Sequence, residues 1–261
     1  TDPVAQTAPH KVVIMARGLG ARMRKSAEGV SLTADQAAAA AAGVKAMISL
    51  DDRPFLDYVI SALADAGFDE FCLVIGPEHN VIRDYYDSCE KSRLSIVYAV
   101  QEHPLGTADA VAAAEEFAGD DRVLVVNSDN FYPEDAVARL REVPASGTLG
   151  FTKRAMIAQS NIDPERIRAF ALLDSDDSGQ LTDIIEKPDP HIVDAAGETA
   201  LVSMNCFLLT PRIFEACRSI DKSERGEYEI VDAVRWMVEH GEHFDVVPEF
   251  STCRTAATLR L

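Results

Sequence analysis

Residues 10–25 read HKVVIMARGLGARMRK: an apolar run, then Gly18 and Gly20, then Arg22, Arg24 and Lys25, in a chain whose formal net charge is -18. A phosphate reaches backbone N–H groups only where no Cβ stands in the way, and its charge must then be met by guanidinium or ammonium groups. Positive charge gathered behind a glycine turn in an acidic protein therefore points to a small anion, and a nucleotide phosphate fits best. Neither common phosphate loop is present. GxGxxG fails where Met23 replaces the third glycine, and no GxxxxGK[ST] occurs.

Three further constellations carry polar chemistry. Asn127-Ser128-Asp129-Asn130 follows the apolar run VLVV. A carboxylate there suits Mg²⁺, which is commonly held by one or two protein carboxylates plus substrate phosphates; a plain turn is the competing explanation. Gln101 precedes Pro104-Leu105-Gly106-Thr107-Ala108-Asp109. A glutamine amide can pair with a base edge, and a glycine lets a flat ring lie against the backbone. A glycine turn with Thr107 as helix cap accounts for the same residues. On the first view, a bulky residue at Gly106 should block a nucleotide without unfolding the protein. Glu186-Lys187-Pro188 could hold a sugar hydroxyl and a phosphate, or form an exposed ion pair worth little.

The elements that must position these groups follow from periodicity. Strands are expected over residues 12–15, 71–75, 94–100 and 122–126, with helices over 54–66, 79–88, 107–117 and 134–141. Strands near 148–152, 170–173, 181–186 and 201–209 follow, then helices over 211–219 and 228–240. Such alternation predicts an α/β fold with a mostly parallel sheet, helices on both faces, and a later sheet extension forming a second wall. In such sheets ligands lie beyond the carboxyl ends of the strands, so the first strand and the 122–126 strand should deliver Gly18 and Asp129 to one cavity. Residues 1–9 read as a disordered leader, 10–247 as one domain, and 248–261 as an irregular tail. Thr33 and Gln36, spaced as a capping box before six alanines, predict an inserted helical segment over 31–43.

Composition narrows the function classes. No apolar stretch approaches the roughly 20 residues of a membrane helix, so no membrane span is expected. The five cysteines form no CxxC pair, which suits packed thiols in a reducing cytoplasm. Strong net acidity argues against long nucleic acids, whose affinity comes from neutralising many phosphates at once. Homo-oligomerisation is left open.

Taken in order, the motifs resemble the sugar-1-phosphate nucleotidyltransferases, the family of glucose-1-phosphate thymidylyl- and uridylyltransferases. MARGLGARMR is similar to its signature loop, Val44-Lys45-Ala46-Met47 to its lysine segment, and QEHPLGTADA to its base-binding segment. VVNSDN is similar to its metal strand and IIEKP to its sugar-binding strand; MNCFLLTPRIF and RGEYEIVDAVRWM match the segments that follow. The resemblance runs from about residue 11 to 247. It implies a Rossmann-like, three-layer nucleotide-diphospho-sugar transferase fold. It also implies joining of a nucleoside triphosphate, UTP or dTTP favoured, to a sugar 1-phosphate with release of pyrophosphate. By the same resemblance, Ala16, Arg17, Gly18, Leu19 and Gly20 would meet the nucleotide through their backbone, and Arg22 would bind the triphosphate. Lys45 would contact the sugar phosphate, and Gln101, Gly106 and Thr107 would hold the base. Asp129 would ligate Mg²⁺, and Glu186, Lys187 and Asn205 would bind the sugar.

Several positions depart from the family pattern. Arg17 and Ala21 replace a small residue and a threonine or serine, and Ala46 replaces a proline. Ala169 and Asn205 stand where glycines usually lie against the sugar. The family's second metal aspartate has no counterpart in Pro248-Glu249-Phe250-Ser251-Thr252-Cys253, where Glu249 is the nearest substitute. The alternative function is therefore a nucleotide- or sugar-binding protein of the same fold with little or no turnover.

Overall fold

The computed structural model describes residues 8–18, 45–168 and 170–255. The helical segment expected over 31–43, together with Leu19, Gly20, Arg22 and Ala169, lies outside them.

The first half builds a parallel block. Strand β1 (Lys11–Met15) is followed by a 3-10 turn (Lys45–Met47), the short pair β2 (Ser49–Leu50) and β3 (Arg53–Pro54), and helix α1 (Phe55–Asp65). Then come β4 (Glu70–Ile75), α2 (Asn80–Ser88), β5 (Ser95–Val100), α3 (Thr107–Ala112), α4 (Glu115–Ala118) and β6 (Val123–Asn127). Strands β5, β4, β1 and β6 lie side by side in that order, all parallel. Strands β4, β1 and β6 are apolar at nearly every position because both of their faces are covered, whereas β5, at the edge of the sheet, stays half-exposed along its length. In β1, Val12 and Ile14 enter the core on one face, while Val13 and Met15 enter the other. Helix α1 buries Phe55, Leu56, Val59, Ile60 and Leu63 as one stripe, and Gly67, at φ 102°, turns the chain out of it. The helix expected over 107–117 is two helices, separated by a tighter turn in which Ala114 N–H donates to Val111 O at 3.0 Å.

The second half adds β7 (Asn130–Phe131), α5 (Glu134–Arg141), β8 (Ser146–Thr152), α6 (Lys153–Gln159), α7 (Pro164–Ile167), β9 (Leu172–Ser175) and β10 (Leu181–Ile185). It continues with α8 (Pro190–Ala196), β11 (Leu201–Leu209), α9 (Arg212–Ser219), α10 (Ile230–Glu239), β12 (Phe244–Glu249) and β13 (Arg254–Thr255). Strand β11 pairs antiparallel with β6, β8 and β9, extending the parallel block into a nine-stranded mixed sheet among the described residues. This is the expected α/β architecture with its sheet extension. No helix among the described residues is long and apolar enough to cross a membrane.

Both expected boundaries move outward. Residues 248–255 are not an irregular tail: β12 runs through Glu249 beside β8, Cys253 is fully buried, and β13 returns to pair with β7. At the other end Pro9, assigned to a disordered leader, is buried, and its carbonyl accepts the Arg141 Nε–H at 2.6 Å. Apolar side chains at Val246, Val247 and Cys253 hold the carboxyl-terminal segment on the sheet.

Candidate active site

The chain leaves β1 toward β4 on one side and returns to β6 on the other, so a crevice opens at the carboxyl ends of β1 and β6. A cavity of about 440 Å³ lies there. Ala16, Arg17 and Gly18 line it from the end of β1, and Gln101, Gly106 and Thr107 from the loop after β5. Asp129 lines it from the turn after β6, and Asn205 from β11. Eight of the residues singled out from sequence thus share one wall. Lys45 opens the 3-10 turn just before Ala46, which also lines the cavity.

Gln101 is 4% exposed, and its amide is oriented by two acceptors. Nε2 donates to Gly106 O at 3.0 Å and to Asp109 Oδ2 at 2.7 Å. A carboxylate can only accept, so the nitrogen faces Asp109 and both amide hydrogens are spent on the loop carbonyl of Gly106 and the Asp109 carboxylate in α3. What the side chain retains for a ligand is its carbonyl oxygen.

Gly106 has a different reason to be glycine from the one expected. Its φ is 119°, and a Cβ built on it would lie 2.3 Å from Tyr228 O and 2.7 Å from Tyr228 N. The missing side chain makes room for backbone, not for a base. Tyr228 N–H donates to Leu105 O at 2.7 Å, and Ala108 N–H donates to Tyr228 O at 2.9 Å. Thr107 completes the clasp: its Oγ1 accepts the Ile230 N–H at 2.8 Å, satisfying an orphan donor at the start of α10 instead of capping its own helix. This junction brings Glu227 to the cavity wall. Glu227 escaped sequence reasoning, because nothing local marks a carboxylate two residues beyond Arg225.

Asp129 is half-buried, and its turn is tied to β11 from below. The Tyr132 hydroxyl donates to Met204 O at 2.7 Å and accepts from Asn127 N–H at 3.4 Å, while Asn130 Nδ2 donates to Met204 O at 3.3 Å. These bonds hold the Asp129 turn against the bulge at Asn205, which sits at φ 53°. Asparagine tolerates this left-handed conformation better than most residues, so it can stand where the family pattern has glycine. A second cavity of about 160 Å³ shares Asn127, Asp129 and Asn205 with the first and is bordered by Arg166 and Phe170.

Glu186 and Lys187 do not line either cavity. Burial, then the nearby Glu229 charge, pushes the Glu186 carboxyl above its usual range, and Lys187 lies at φ 45°. Glu249 is no substitute for the second metal aspartate. Its carboxylate accepts from Arg139 Nη2 and from Ser251 N–H, the latter at 2.7 Å, and it borders neither cavity. Burial alone would raise the Glu249 carboxyl, but Ser251 and the Arg139 guanidinium outweigh it and hold it below the usual range. The cluster of His10, Asp69 and Glu70 lies at the amino ends of β1 and β4, the opposite edge of the sheet.

Gly18 at the end of a strand, an oriented amide and a strand-end aspartate converging on the switch point of the sheet define a ligand-binding α/β protein with room for a nucleotide. The chain belongs to the nucleotidyl transferase family, whose family model matches residues 11–250. It is 30% identical over 236 residues to the low-salt glycan biosynthesis nucleotidyltransferase Agl11 of Haloferax volcanii, covering 90% of this chain and 59% of that protein. It is 28% identical over 239 residues to the UTP–glucose-1-phosphate uridylyltransferase AglF of the same organism, covering 91% and 87%. The chain thus spans about three fifths of the first relative and most of the second. A solved UDP-glucose pyrophosphorylase complexed with UDP-glucose superposes with a TM-score of 0.69 at 16% identity, covering 95% of this chain and 90% of that one. The fold is the Rossmann-like fold of nucleotide-diphospho-sugar transferases.

Proposed function

We propose that the chain joins a nucleoside triphosphate to a sugar 1-phosphate, giving a nucleotide-diphospho-sugar and pyrophosphate. The observation that carries this reading is the pair of adjoining cavities that share Asp129 and Asn205, one of about 440 Å³ and one of about 160 Å³. A two-substrate transfer needs such a junction. Gln101 supports the choice of base. With both amide hydrogens spent, its carbonyl oxygen can accept the ring N3–H of uracil or thymine, whereas cytosine presents an acceptor there. Among the pyrimidine nucleotides, UTP or dTTP is therefore the preferred donor.

A sugar phosphate has a second pKa of about 6 and is already an anionic nucleophile at neutral pH. One of its oxygens attacks the α-phosphorus in line. The new P–O bond forms as the bond to the α,β-bridging oxygen breaks, and pyrophosphate leaves with that electron pair. No general base is required, so the protein's task is placement and charge neutralisation. On the family resemblance, the backbone of residues 16–20 and the Arg22 side chain receive the triphosphate and Lys45 the sugar phosphate. Glu186, Lys187 and Asn205 would serve the sugar. Asp129 would hold Mg²⁺, and Glu227, Asn127 and Ser128 border the same cavity with further hard oxygen donors. When bound there, magnesium neutralises charge on the phosphates. The five free thiols suit work in a reducing cytoplasm.

The test is pyrophosphate release on mixing UTP, dTTP, CTP, ATP or GTP with glucose 1-phosphate and other sugar 1-phosphates in the presence of Mg²⁺. Release with UTP or dTTP and little with CTP is expected. Nucleotide binding without release for any pair would leave the binding-protein alternative.

A further inference from the structure

Arg17 occupies a position where the family pattern has a small residue, yet its side chain is buried to 8% exposure at the wall of the nucleotide cavity. Its Nη2 lies 3.4 Å from Oε1 of Glu78, a long and single contact. Nε and Nη1 are buried with no hydrogen-bond partner among the described residues. Glu78 is 47% exposed and is shared: His79 accepts the Gly76 N–H on Nδ1 at 3.3 Å and places Nε2 3.8 Å from the same carboxylate. A buried guanidinium with two orphan donors has already lost its water, so an acceptor that reaches it gains a charge-assisted bond at little further desolvation cost. Asp129 and Glu227 are the other charged residues among the described wall, and both are acidic. An incoming phosphate chain therefore finds its described counter-charge at Arg17.

We infer that the Arg17 side chain is a nucleotide-phosphate contact, held loosely on Glu78 until a nucleoside triphosphate takes it over. This rests on the nucleotide reading above. Burial close to the end of β1 pre-positions the guanidinium, and the exposed Glu78 is the partner it can leave.

Calorimetric titration with uridine, UMP and UTP, repeated with the thymidine series, tests this on wild type, R17G, R17K and E78Q, with melting curves for each. R17G should weaken triphosphate binding at least about tenfold while leaving the nucleoside unchanged, and R17K should recover part of the loss. E78Q should tighten triphosphate binding a few-fold by releasing the guanidinium. If R17G fails to fold, R17K and E78Q decide. Equal loss for nucleoside and triphosphate, no loss for either, or weakening by E78Q would overturn the assignment and make the pair a structural strut. A wild type that binds neither series would fell the nucleotide reading itself, and this inference with it.

Discussion

Replacing Gly106 by alanine should unfold the protein more readily before it does anything to a nucleotide, and Gly197 supplies the control. Gly106 sits at φ 119°, ψ 178° and Gly197 at φ 75°, ψ -175°, so both occupy a region that side chains rarely enter. A Cβ at Gly197 meets nothing within 4 Å, whereas one at Gly106 meets Tyr228 O at 2.3 Å. Gly197→Ala therefore suffers backbone strain alone, about 2 kcal/mol. Gly106→Ala adds the displacement of Tyr228 and the loss of its hydrogen bonds to Leu105 and Ala108, at about 1 kcal/mol each. The sum is about 4 kcal/mol. At about 2–4 °C per kcal/mol for a domain of this size, the melting temperature should fall by about 8–16 °C in Gly106→Ala and about 4–8 °C in Gly197→Ala. Calorimetric melting of both variants, with urea titrations alongside, measures the difference. A Gly106→Ala protein that melts like wild type while losing nucleotide affinity would show that the glycine serves the ligand and not the Tyr228 backbone.

Gln101→Glu should weaken uridine or thymidine nucleotides at least about tenfold, because it sets a second carboxylate beside Asp109 and removes the Nε2 donor whose bonds to Gly106 and Asp109 fix the side chain; unchanged affinity by titration would remove Gln101 from base selection. Thr107→Val should cost about 1–2 kcal/mol by orphaning the Ile230 N–H, and raise hydrogen exchange at the start of α10 before elsewhere. Glu249 has a folded pKa below its unfolded value, so its contribution is present above the unfolded pKa and lost as pH falls through the folded one. Glu249→Gln should accordingly lower stability at pH 7 and converge on wild type in acid, without altering Mg²⁺-dependent nucleotide binding; a pH series of urea midpoints checks the sign. Asp129→Asn should abolish the coupling between Mg²⁺ and nucleoside triphosphate seen by calorimetric titration, and equal metal-dependent affinity in the two proteins would take Asp129 out of the site.

The parallel block was legible because strands covered on both faces must be apolar throughout, and residues 12–15, 71–75 and 123–126 obey that rule. Helix α1 was legible for a related reason, since its stripe runs between Pro54 and Gly67, two residues that punctuate helices. The later short helices carried signals that periodicity over so few residues could not display. Asp163 before Pro164 caps α7 and Asp189 before Pro190 caps α8, each through a side-chain oxygen on the backbone. The carboxyl-terminal return was invisible in local pattern, because β13 has two residues and owes its place to pairing with β7 and to the burial of Cys253.

The same distinction between local and long-range causes separates the parts of the site. Gly18, Gln101 and Asp129 could be found because each follows an apolar strand, and a parallel sheet sends the ends of its strands to one edge. Glu227 and Tyr132 could not be found so, since one is brought to the cavity by the clasp between Leu105 and Tyr228 and the other acts from beneath the turn it supports. Asn205 stands between the two cases. Its departure from glycine reads in sequence as a changed pocket, and the φ of 53° shows that the backbone course is one asparagine can still follow. The chain path thus survives the exchange while a polar side chain is added to the wall shared by both cavities. Sequence departures at this site change the lining more than the frame, as Arg17, buried just beyond the end of β1, also shows.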